Sequence, residues 1–209
     1  MPSVDFSLYL ITDRHQLPAG RTLGETVRAA LEGGVRAVQL REKDLAAAEL
    51  YPLARELRAL TRAFGAKLLV NDRVDIALAV EADGVHLGGH SLPIAVCRTL
   101  LGPDKLLGVS THRLGEIDAA AGAGADFVTF GPVYPTPTKL PFGPPLGPEA
   151  LAAACATTPL PLFALGGIGK EQLPPLRLSG CCRVAVISAI LTAPDPRSSA
   201  STLLRLLAD

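Results

Sequence analysis

A chain of 209 residues, 48% hydrophobic and of zero formal net charge, is long enough for one sizeable core and carries no electrostatic invitation to nucleic acid or an anionic membrane. No apolar run approaches the roughly 18 residues that span a bilayer, so no membrane partner is expected. Met1-Pro2-Ser3-Val4-Asp5 lacks the basic-then-apolar order of a secretory signal, so a cytoplasmic protein is expected. Cys97, Cys155, Cys181 and Cys182 lack the spacing of a zinc or redox motif and read as free thiols, most of them buried.

Short β-branched runs alternate with longer Ala/Leu-rich ones from end to end. "FSLYLIT" (6–12) predicts a strand and "TLGETVRAALEGG" a helix closed by Gly33 and Gly34. "VRAVQLRE" (35–42) is the second strand, followed by a long helix over 45–65 with Leu50, Leu53, Leu57 and Leu60 at helical spacing. "AKLLVND" and "RVDIALAVEA", then "GVHLG" and "PIAVCRTLL", make the third and fourth strand–helix pairs. "KLLGVSTH" with "RLGEIDAAAGAG" is the fifth, and "DFVTFGPVY" with a Pro-rich loop and "GPEALAAACA" the sixth. "LPLFALGGI" with "KEQLPPLRL" and "RVAVISAIL" with "SASTLLRLLA" complete the set. Eight such units predict an α/β fold, a single-domain (β/α)8 TIM barrel over residues 1–209, near the lower length limit of that fold. A doubly wound sheet is the competitor, but "DRHQLPAGR" after strand one has no glycine fingerprint.

Active sites of such barrels lie at the C-terminal ends of the strands. Those ends read Thr12-Asp13, Gln39-Arg41-Lys43, Asn71-Asp72, His86, Ser110-His112, Thr136-Thr138-Lys139, Gly166-Gly167 and Ser188. One polar loop residue means little; eight successive polar ends mark a site. Arg41 and Lys43 share a side by period-two spacing, and two cations there call for an anion. The Gly166-Gly167 turn before a helix suits a phosphate held by backbone N–H groups, and Lys139 could add a mobile charge.

In that order and spacing, "QLREK", "VNDRVDIAL", "ADGVHLG", "GVSTH", "GPVYPTPTK" and "ALGGI" resemble the thiamine phosphate synthase/TenI superfamily over almost the whole chain. The resemblance implies a dimeric barrel acting in thiamine biosynthesis, with two activities on one fold. Synthases join hydroxymethylpyrimidine diphosphate to a thiazole phosphate and release pyrophosphate, whereas TenI-type tautomerases isomerise a carboxylated thiazole phosphate. By resemblance, Gln39, Arg41, Lys43, Asn71 and Lys139 match positions that hold the pyrimidine diphosphate, and Ser110 lies near the pyrimidine. Thr136, Thr138, Gly166, Gly167 and Ser188 match positions around the thiazole phosphate and the diphosphate, and Asp72 one of two carboxylates that hold Mg²⁺.

The second carboxylate should come from a Gly-Gln-x-Asp motif after strand four, where this chain reads Gly88-Gly89-His90-Ser91. Ser91 therefore stands at the Asp position, and a hydroxyl brings no charge to Mg²⁺. His86 and His90 form no metal pair, since one lies on a strand and the other follows two glycines. His86 reads instead as a hydrogen-bonded residue at a strand end.

The missing carboxylate makes a thiazole tautomerase the first expectation. His112 would be its general acid/base, since imidazole titrates near neutral pH, and no cofactor would be needed. "REK" and "TPTK" are what a working diphosphate site would keep. The second reading is accordingly an Mg²⁺-dependent synthase, with Asp72 the metal ligand, and the third a non-catalytic ligand-binding regulator. The expected partners are a small-molecule thiazole phosphate, the pyrimidine diphosphate for a synthase, and a second copy of the chain in a homodimer. No nucleic acid is expected.

Overall fold

The structure, a computed structural model, describes residues 3–136 and 143–208. Eight parallel strands close into a barrel in sequence order: β1 (Leu8–Ile11), β2 (Ala37–Leu40), β3 (Lys67–Asn71), β4 (Gly84–Leu87), β5 (Leu106–Thr111), β6 (Phe127–Phe130), β7 (Leu162–Leu165) and β8 (Val184–Val186). Closure comes from β1 pairing with β8, Leu10 opposite Val186. The helices between them are α1 (Leu23–Glu32), α2 (Ala47–Ala63), α3 (Val74–Ala79), α4 (Ile94–Leu101), α5 (Leu114–Gly122), α6 (Gly147–Thr157) and α7 (Leu173–Leu178). Two helices, α8 (Ser188–Leu191) and α9 (Pro196–Ala208), follow β8. None of the described helices is long and apolar enough to cross a membrane.

Local chemistry starts and stops these elements. Thr22 caps α1 in a reciprocal box with Glu25, and Gly34 leaves the helix at φ +104°. The eighth strand is shorter than expected from "RVAVISAIL". It ends at Val186, and the apolar run continues as the one-turn helix α8, because the chain turns at Ile187 (φ −120°, ψ −84°). Apolar periodicity over so short a run cannot separate a strand from a buried helical turn.

Strand alternation divides the core. Outward-facing Leu8, Leu10, Val38, Leu68, Val70, Val85, Leu107 and Val128 pack against the helices. Inside the barrel, Phe6, Tyr9, Ile11, Ala37, Leu69, Leu106, Phe127, Phe163 and Ala185 form a second cluster. Its rings meet at 5.1 to 5.9 Å, mostly tilted or edge-on, the favourable arrangement of aromatic quadrupoles. The interior is a packed floor.

Before the N-terminal ends of β4 and β6, Asp83 and Asp126 secure the outer shell. Asp83 accepts from Leu68 N–H at 2.8 Å and Arg58 at 2.6 Å. Asp126 accepts from Leu107 N–H at 2.7 Å and Arg98 at 2.6 Å. These charge pairs tie helix to strand, so their work is the fold.

Candidate active site

Moving up each strand from the aromatic floor, the inward positions become polar. Gln39 lies on β2, His86 on β4 opposite Asn71, and Ser110 on β5 opposite Thr129 of β6, and Gln39, His86 and Thr129 are almost fully buried. Gln39 Nε2 donates to the Tyr9 hydroxyl at 3.1 Å, which fixes the amide. Burial raises the Tyr9 phenol far above its ordinary range, so it stays neutral.

His86 stacks obliquely on Tyr9 and Phe127, with its Nε2 3.0 Å from Ser110 Oγ. Its Nδ1 is buried with no hydrogen-bond partner among the described residues. Desolvation lowers the His86 pKa to about 3; Asp72 opposes the shift and Arg41 adds to it. A neutral ring protonated on Nε2 donates to Ser110 and leaves only a lone pair at Nδ1, the cheaper atom to orphan. We assign that tautomer from the contacts. Ser110 Oγ then accepts from His86 and, at 3.5 Å, from Thr129, and its own proton is available to a ligand.

Asn71 and Asp72 end β3. Asp72 has a left-handed backbone (φ +60°), held by donation of its N–H to the His86 carbonyl at 3.0 Å. Asn71 Nδ2 donates to Asp72 Oδ2 at 2.7 Å, and the Ser91 hydroxyl donates to Oδ1. Gly88 N–H in turn donates to Ser91 Oγ at 2.7 Å. The serine at the position expected to hold a carboxylate therefore reaches the same group that a shared cation would join. Lys43, Asn71 and Asp72 line one cavity between the C-terminal ends of β2 and β3 and α2, with Leu40, Glu42, Leu45, Leu50 and Arg73. Half-buried Arg41 follows the last residue of β2.

On the far side of the mouth the loop after β6 is stitched to the end of β7. Val133 N–H donates to the Leu165 carbonyl at 2.8 Å and Tyr134 N–H to the Gly166 carbonyl at 3.1 Å. Gly166 and Gly167 both have left-handed φ (+103° and +65°). A Cβ would lie 2.5 Å from Pro132 Cβ at the first and 2.8 Å from Tyr134 Cβ at the second, so the turn requires glycine twice. Thr136 Oγ1 is buried with no hydrogen-bond partner among the described residues. Ser188 opens α8. Thr138 and Lys139 lie outside the described residues.

His112 is exposed at the end of β5. Its Nδ1 donates to the Gly131 carbonyl, while Glu116 accepts from its backbone N–H at 2.7 Å. His90 is exposed in the loop after β4, apart from His86, and no group of three or more His, Cys, Asp or Glu among the described residues could hold a metal. Sequence reasoning missed the supports beneath the site: Tyr9 under Gln39, Thr129 beside Ser110, and Arg14 and Glu42 behind Arg41. For Thr129, inward parity with Phe127 was the available signal.

The profile described as thiamine monophosphate synthase matches residues 8–190. A putative thiamine-phosphate synthase of Geobacter sulfurreducens is 58% identical, covering 99% of this chain and 97% of the relative. The thiamine-phosphate synthase of Syntrophomonas wolfei is 46% identical, with 97% of each chain covered. Among solved structures, a thiamine phosphate pyrophosphorylase from Pyrococcus furiosus superposes with a TM-score of 0.87 at 38% identity, covering 97% of this chain and 96% of its own. These matches overturn the expectation of a thiazole tautomerase, since relatives at this identity carry the synthase name. Ser91 stands where a carboxylate was expected, and its hydroxyl donates to Asp72. The tautomerase was the reaction for which His112 was expected to act as general acid/base.

Proposed function

The chain belongs to the thiamine monophosphate synthase family, an enzyme family of thiamine biosynthesis, and from that premise we propose that it couples hydroxymethylpyrimidine diphosphate to thiazole phosphate. The C–O bond between the pyrimidine methylene and the diphosphate breaks, the thiazole nitrogen forms the new C–N bond, and pyrophosphate leaves. The observation that carries this reading is the cavity lined by Lys43, Asn71, Asp72 and Arg73 beside Glu42, which sets two cations, an amide and the Asp72 carboxylate at the ends of β2 and β3.

Arg41 and Lys43 hold the diphosphate and take up charge as it departs, a contribution that grows as the bond breaks. Gln39, fixed by Tyr9, and Ser110, fixed by His86, meet the polar edge of the pyrimidine. The Gly166–Gly167 turn and the Thr136 hydroxyl hold the thiazole phosphate; the buried Oγ1, unpartnered among the described residues, supports this, because a phosphate oxygen would satisfy it. Thr138, Lys139 and Ser188 complete the anion contacts in this reading.

Mg²⁺ usually keeps several waters and binds through one or two carboxylates together with substrate phosphates, so Asp72 with the Ser91 hydroxyl beside it is a donor set that fits. When bound there, the ion would neutralise the leaving diphosphate.

The test is formation of thiamine phosphate from the two substrates, with Mg²⁺ and with chelator. We expect Mg²⁺-dependent product. Absence of product beside a competent control synthase would overturn the reading.

A further inference from the structure

Residues 41–44 read Arg-Glu-Lys-Asp, cations alternating with anions. Neighbouring opposite charges screen one another, so such a loop left to itself offers a diphosphate little net attraction. The fold separates the signs. Glu42 faces outward from the barrel, 4% exposed, where its carboxylate accepts from Thr12 Oγ1 at 2.6 Å. It also accepts from the backbone N–H and Nη1 of Arg14, each at 3.1 Å. The same guanidinium then reaches Asp44: Nη1 donates to Oδ1 at 2.7 Å and Nη2 to Oδ2, which also lies 3.1 Å from His15 Nε2. One arginine thus spans the two carboxylates that flank Lys43. Thr12 links this cluster to the site, because its hydroxyl, while donating to Glu42, accepts from the Arg41 backbone N–H at 2.9 Å.

We propose that Arg14 is a positioning residue of the diphosphate site: it takes up the carboxylates of Glu42 and Asp44 and, through Glu42 and Thr12, fixes the backbone of Arg41, so that the Arg41 guanidinium is set against the substrate. The inference rests on the synthase reading and deepens it. Arg14 itself touches no substrate. The planar fork is the property that matters, since a lysine ammonium cannot serve two carboxylates with the same geometry. In keeping with this, the Arg14 guanidinium holds the Asp44 carboxyl far below the usual carboxylate range.

The test uses Arg14→Lys, which keeps the charge and removes the fork. Binding of inorganic pyrophosphate with Mg²⁺ is measured by calorimetry, and KM for each substrate by steady-state kinetics. We expect pyrophosphate affinity to fall at least fivefold and KM for the pyrimidine diphosphate to rise similarly, with KM for the thiazole phosphate within twofold. Adding Asp44→Asn to Arg14→Lys should recover most of the loss, because the released carboxylate is then gone. Wild-type affinity in Arg14→Lys overturns the inference, since charge alone would suffice. Failure of Asp44→Asn to rescue also overturns it, leaving Arg14 a structural role only. Should Arg14→Lys not fold, Thr12→Ser and Thr12→Val carry the same test: the serine must retain pyrophosphate affinity and the valine must lose it, and equal affinities overturn the inference. Wild-type protein that neither forms product nor binds pyrophosphate overturns the synthase reading first, before any variant is compared.

Discussion

The Ser91 hydroxyl donates to Asp72 Oδ1 and joins the loop after β4 to the end of β3. Replacing Ser91 with Asp would put two carboxylates in contact. Like charges so close are mutually destabilising, and a divalent cation relieves them. Ser91→Asp should therefore melt a few degrees below wild type in chelator and regain more than wild type does on adding Mg²⁺. Its half-saturating Mg²⁺ for product formation should fall about tenfold, or about 1.4 kcal/mol. Melting curves that respond to Mg²⁺ equally in both proteins would remove this pair from the cation site.

Thr136→Val should change stability and binding in opposite directions. A buried hydroxyl without a partner costs about 1–3 kcal/mol, and Thr136 Oγ1 has none among the described residues. The valine variant should be as stable as wild type or more so in urea titrations without ligand. Its KM for thiazole phosphate should rise about tenfold, the equivalent of one hydrogen bond to a charged group. A stability loss with unchanged KM would assign the hydroxyl to the fold.

His86 makes stability depend on pH. Its pKa is lowered from an unfolded value near 6.5 to about 3, so between those limits the unfolded chain binds the extra proton. The neutral ring's contribution is present above pH 6.5 and is lost progressively as pH falls toward 3. Each unit of separation corresponds to about 1.4 kcal/mol at most. Urea midpoints of wild type should fall more steeply between pH 6.5 and 4 than those of His86→Gln. Parallel pH profiles would mean that His86 is not held neutral.

Gly108→Ala tests how tightly the ring is held. A Cβ at this position would lie 2.4 Å from Phe127 Cζ and 2.6 Å from His86 Nδ1. Overpacking of this kind costs about 1–3 kcal/mol, and the imidazole cannot yield without leaving Ser110. Stability and kcat should fall together in denaturation and rate measurements. Loss of stability with unchanged kcat would uncouple Ser110 from turnover.

Much of this architecture was legible in the amino-acid order. The eight strands follow from β-branched runs broken by glycine and by Ala/Leu-rich stretches, and the polar strand ends marked the mouth. The end of β8 was not legible, because Ile187 to Leu191 is as apolar as a strand and only the backbone turn at Ile187 separates the two. Nor was the meaning of Ser91. Its partner Asp72 is 19 residues away, and a residue type says nothing of what its hydroxyl will meet. Arg14 was invisible for the same reason: it looks like an ordinary loop cation until β1 and β2 pair and bring Glu42 and Asp44 beside it, 28 and 30 residues on.

The rings of Phe6, Tyr9, Phe127 and Phe163 have one more consequence. They stopper the barrel below Gln39 and His86, which makes it a blind-ended vessel. Whatever it takes in and whatever it gives up must pass through the same open end.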